Sequence, residues 1–98
     1  MSTRFINYER AEAAIRALNE YSQHLSEAAT ALKLRRDEIR QHWQGESFEQ
    51  FSTDIDFVLR LISQAEIDSR RASQLIAQGL QKAIADEREA ALRALQGQ

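Results

Sequence analysis

The side chains here that could do chemistry are two histidines, fifteen carboxylates and a scatter of hydroxyls, with no cysteine to serve as nucleophile or soft metal ligand. A zinc site needs His or Cys residues at short, regular spacing. His24 and His42 stand far apart, and neither has a second His or Cys at ligand spacing beside it. General acid–base work by paired carboxylates needs side chains that converge, whereas Asp54 and Asp56, two apart on a helix, diverge. A glycine-rich phosphate loop and a nucleophile elbow are both absent from the sequence. The expectation is a non-enzymatic chain with no catalytic residue, no metal and no cofactor. Arg35, Arg36 and Arg40 do gather, but in a pattern that suits the negative end of a helix dipole and reads as a solvated helix end.

Composition narrows the class further. Ninety-eight residues make one domain at most, and a formal charge of −2 gives no basic field for nucleic acid. With no proline, three glycines and an abundance of Ala, Leu, Glu, Gln and Arg, the chain is helical by propensity. The first ten residues lack an apolar core and carry Glu9, with Glu12 close behind, so a secretory leader is not expected. No apolar run approaches the ~18 residues of a membrane span, so stable membrane insertion is not expected either. The reading is a protein made in the cytoplasm that, if it leaves, leaves without a cleavable leader.

The elements are organised around His42-Trp43-Gln44-Gly45, which holds the only tryptophan and the only glycine before residue 79. Glycine stops a helix well because it enters the left-handed region without a Cβ penalty. The spacing predicts helix one over about residues 8–41, a turn over 42–46 and helix two over about 47–95. Residues 1–5 are expected to fray, with Thr3 or Asn7 as N-cap. Ser47 and Gln50 have the spacing of a capping box at the start of the second helix, with Phe51 one turn on. On helix one the hydrophobic seam runs Leu18, Leu25, Leu32 and Ile39, with Tyr21, Ala28 and Arg35 between them. On helix two it runs through Phe51, Ile55, Val58, Ile62, Ala65, Ser69, Ala72, Ile76 and Leu80.

Laid antiparallel, Ile39 should meet Phe51, Leu32 should meet Val58 and Leu25 should meet Ala65. Most such pairs set a large side chain opposite a small one, which fills an interface without overlap. The fold class is therefore all-α: an antiparallel two-helix hairpin. Two helices of this size bury too little apolar surface to offset the entropy of ordering them. Leftover apolar residues point to a second hairpin and a four-helix bundle: Phe57, Leu61 and Leu75 beside one seam, Ala17 and Ala31 beside the other. Gly79, inside helix two, costs ~1 kcal/mol relative to alanine and would permit a bend or a close approach to Ala11. Residues beyond about 85 outrun helix one, leaving Leu92 and Leu95 as the apolar edge of a helical overhang.

A mid-chain Trp43-Gln44-Gly45, with Phe51 eight residues after the tryptophan, between two amphipathic helices in a chain of a hundred residues without cysteine, resembles the WXG family of hundred-residue proteins. These are the early-secreted-antigen-like substrates of type VII secretion. The resemblance implies a helical hairpin paired as a homodimer, or as a heterodimer with a sister hairpin, and exported folded by a membrane-embedded secretion ATPase of the FtsK/SpoIIIE type. It assigns Trp43 and Gly45 to the turn and Phe51 to the start of the second helix. It also implies an alternative role, as the targeting partner or chaperone of a larger exported toxin. One departure stands out. The C-terminal Tyr-Xaa-Xaa-Xaa-Asp/Glu export signal of many actinobacterial members is missing, because the last tyrosine is Tyr21. The overhang ending in Leu92 and Leu95 is the remaining candidate for an export tail.

Overall fold

A computed structural model describes residues 7–43 and 45–97. They form two helices, α1 over Tyr8–Arg40 and α2 over Glu46–Gln96, folded back on each other as an antiparallel hairpin. The molecule is a rod 80 Å long and 18 × 16 Å across. At 1.5 Å per residue α2 alone accounts for nearly all of that length. The expectations for residues 1–5, including a Thr3 cap, lie outside the described residues.

Helix α1 starts where Asn7, in extended conformation, turns its side-chain oxygen back to accept from the Arg10 backbone N–H at 3.0 Å. That satisfies one of the donors a helix start leaves open. It ends at the arginine-rich turn, where the N–H groups of His42 and Trp43 both reach the Ile39 carbonyl, at 3.0 and 2.9 Å.

The start of α2 differs from the capping-box expectation. Gly45 is the residue before the helix, with φ 108° and ψ −169°, and it offers no side-chain cap. This is a region of backbone space that only glycine occupies without strain. Glycine is thus required here to launch the second helix, not to stop the first, whose cap Gln41 has ordinary helical angles. Ser47 lies inside the first turn, and Gln50 donates onward to Asp54 rather than back toward Ser47.

Along α1 the side facing α2 is Ala11, Ile15, Leu18, Ser22, Leu25, Ala29, Leu32, Arg36 and Ile39, alternating by four and three residues. The leucine row falls as expected. The row between it is shifted by one residue: Ser22, Ala29 and Arg36 face α2, while Tyr21, Ala28 and Arg35 lie in solvent. Tyr21 is 53% exposed, which removes it from the core. On α2, Ile55, Ile62, Ser69, Ile76 and Leu80 line the seam. Leu59 takes the place expected for Val58, which is 40% exposed. On α1 the second row runs four residues after the first, not three, which rotates the buried stripe by a fraction of a turn; on α2 Phe51, Ala65 and Ala72 are half-buried as expected, and only Val58 leaves the seam.

The seam is thin. Phe48 is the one buried apolar side chain among the described residues, and the other three buried ones are Ser22, Ser69 and Ser73. These serines sit at mid-length, where the Ser69 hydroxyl donates to the Leu18 carbonyl at 2.9 Å. Arg70 Nε donates to the Ser22 hydroxyl at 3.2 Å. The hydroxyls of Ser22 and Ser69 let the helices approach closely while remaining hydrogen-bonded, as buried polar groups must be.

Candidate functional site

Two features stand out on this rod: its corner and one long flank. At the corner Trp43, Phe48 and Phe51 form a three-ring cluster. The indole lies 6.0 Å from the Phe48 ring, edge-on at 68°, and 5.4 Å from Phe51. Phe48 and Phe51 are 6.2 Å apart. These spacings are those of favourable aromatic pairs. The Arg40 guanidinium covers Phe48 at 5.7 Å, so the last turn of α1 closes over the first turn of α2. Trp43 keeps 39% of its surface exposed, so it clamps the corner from outside while Phe48 fills it. Phe48 is the residue that sequence reasoning undervalued. Its signal was the α2 seam continued backwards, from Ile55 through Ser52 to position 48.

The two long edges of the hairpin have different chemistry. One is polar. Arg36 Nη1 donates to Asp56 at 2.6 Å across the helices, and Ser22, Ser26, Arg70 and Gln74 line an open depression of about 570 Å³. The other edge is apolar and uncovered. On α1 it carries Ala17, Tyr21 and Ala31, all exposed; on α2 it carries Val58, Leu61 and Leu75, exposed as well. Phe57 does not join this edge. It is two residues from both Ile55 and Leu59 of the seam, so it points away from α1, where Arg60 lies over its ring at 5.9 Å.

Past Glu87, whose carboxylate accepts from the Tyr8 hydroxyl, α2 extends beyond the first residue of α1 with no partner helix among the described residues. Leu92 and Leu95 are solvent-exposed there. Hydrogen bonding to Glu87 holds the Tyr8 hydroxyl proton and raises its pKa above the usual tyrosine value. His24 and His42 are both exposed and far apart along the rod. No three His, Asp or Glu side chains converge among the described residues.

No protein-family model matches the chain, and no curated protein or solved structure matches it at a significant level.

What the arrangement can do follows from its surfaces. No described side chain is fully buried in this hairpin. An exposed apolar edge along the middle third of the rod is what a helical partner would cover. No helix among the described residues is long and apolar enough to cross a membrane.

Proposed function

We propose that this chain is a small non-enzymatic substrate of a type VII secretion system, made in the cytoplasm and exported folded as a helical dimer. The observation that carries the reading is the corner. The Trp-Xaa-Gly sequence stands where two long helices reverse direction, with Gly45 in a conformation reserved for glycine and Trp43 packed on Phe48 and Phe51. The uncovered flank supports pairing with a second hairpin, and the exposed overhang with Leu92 and Leu95 offers the secretion ATPase a helical handle.

The test is export itself. The tagged chain should accumulate in the medium of a host with an active type VII ATPase and stay in the cells of the same host lacking that ATPase. Equal release from both strains would overturn the reading.

A second reading, targeting partner of a larger exported toxin, draws on the same exposed flank, which a helical domain of that toxin would cover. It predicts that export of the chain depends on co-expression of that toxin.

A further inference from the structure

The polar edge holds a hydroxyl that the hairpin does not use. Ser73 is 6% exposed, and a polar group so deeply placed normally has a hydrogen-bond partner. Its neighbours do. Ser69 donates to the Leu18 carbonyl and Ser22 accepts from Arg70, whereas the Ser73 hydroxyl makes no hydrogen bond among the described residues. The one polar side-chain atom there that is both unpaired and sealed from solvent is Arg36 Nε. The Ser73 oxygen is therefore unpaired but reachable, and the depression of about 570 Å³ that it lines is the way in.

The wall of that depression is rich in free donors. Arg70 is its only charged residue, and the carboxamides of Asn19, Gln23 and Gln74 make up much of the rest. The guanidinium is held from two sides, by the Ser22 hydroxyl on Nε at 3.2 Å and by Glu66 on Nη2 at 2.8 Å. That leaves Nη1 with both protons unused. Ser22 accepts from Arg70 through its oxygen and keeps its own proton to donate.

We propose that this depression binds the carboxylate of a small ligand whose body carries an amide. Three donors with no acceptor of their own, from Arg70, Ser22 and Ser73, suit an oxyanion, and a fixed guanidinium suits a flat carboxylate best. Glu66 already offsets much of the arginine's charge, so a doubly charged phosphate would find nothing to balance its second charge. The carboxamides, each both donor and acceptor, match a neutral amide beside the carboxylate. The depression lies on the edge opposite the apolar one and stands apart from the export reading.

N-acetylglycine tests this, with N-acetylglycinamide as its uncharged twin, each titrated into the full chain and followed by nuclear magnetic resonance. A probe of about eight non-hydrogen atoms in an open site should bind with a Kd on the order of 1–10 mM. The signals of Ser22, Ser73 and Arg70 and the side-chain amides of Asn19, Gln23 and Gln74 should shift together and saturate. The uncharged twin should bind about tenfold more weakly, having lost the charge-assisted contact.

Ser73→Ala should raise the Kd about threefold, the effect of one hydrogen bond, and leave Tm unchanged or higher because the hydroxyl holds nothing in the hairpin. Arg70→Lys, which keeps the charge and loses the planar fork, should raise it about tenfold. Equal binding of the two probes, or shifts that never saturate and extend to Arg16 and Arg93, would overturn the site. So would a Ser73→Ala variant that binds as the parent does, or one whose Tm falls, since the hydroxyl would then be a structural contact.

Discussion

The indole N–H of Trp43 donates to the Ser47 hydroxyl at 3.3 Å, tying the residue that ends the corner to the first turn of α2. This bond stands where a capping box was expected, and it changes what Ser47 does, because the hydroxyl now holds the tryptophan. Trp43→Ala should lower stability by about 2 kcal/mol, below the range for a fully buried aromatic because the ring is partly in water. Ser47→Ala should cost about 0.5–1 kcal/mol, the worth of one exposed-side hydrogen bond. Urea titrations followed by circular dichroism measure both, and an unchanged midpoint for Trp43→Ala would remove the clamp.

Gly45→Ala and Gly79→Ala should have opposite signs. Neither added Cβ meets an atom within 4 Å, so sterics in the hairpin do not separate them. Backbone conformation does. Gly45 holds φ 108°, and alanine there should cost about 1–3 kcal/mol. Gly79 is ordinary helix, and alanine should add about 1 kcal/mol of helix stability. Thermal melts of the two variants at equal concentration make the comparison.

Arg36 occupies a seam position with its side chain 18% exposed, and its Nε is buried without a hydrogen-bond acceptor. Removing its partner should therefore hurt more than removing the arginine. Asp56→Ala leaves a half-buried guanidinium with the longer 3.5 Å contact to Asp37 in place of its hydrogen bond and should cost about 1–2 kcal/mol, while Arg36→Leu should be near neutral. A larger loss for Arg36→Leu than for Asp56→Ala, read from denaturant midpoints, would reverse this account.

The Tyr8–Glu87 contact predicts a pH dependence at the open end. The hydroxyl proton is held, so the folded pKa lies above the unfolded one. The contribution is fully present below the ordinary tyrosine value near 10 and is lost as pH rises through the raised one. Tyrosinate absorbance of the parent minus that of Tyr8→Phe should titrate with a midpoint above about 10. A midpoint at or below that value would exclude the contact.

Leu92→Ser with Leu95→Ser should leave hairpin stability within about 0.5 kcal/mol, since both side chains lie beyond the end of α1. Export should fall in the same variant. Loss of folding instead would place these leucines in a core.

The hairpin, its helix limits to within a residue or two and the leucine row of α1 are legible in the sequence because a seven-residue repeat states the buried direction directly. Heptad counting alone does not tell Tyr21 from Ser22, or Val58 from Leu59. A period near 3.5 fits two adjacent stripes equally well, and hydrophobicity then favours the more apolar one. On α1 the hairpin instead buries the small hydroxyl of Ser22 and leaves Tyr21 on its flank, against the usual preference, while on α2 it half-buries Leu59 and leaves Val58 outside. At the corner, the need for glycine is legible but the helix it serves is not, because stop and start signals overlap when only a few residues separate them. The spacing of Ser47 suits a cap, and an indole donor overrides it.

A rod whose width is set by two helices and whose length is set by one has an unusual property. Extra turns on α2 lengthen it without thickening it, so the smallest aperture it could pass end-on stays the same whatever the size of the tail. Any gate that admits such a body intact would sort its cargo by girth, and would be blind to how far the trailing end extends.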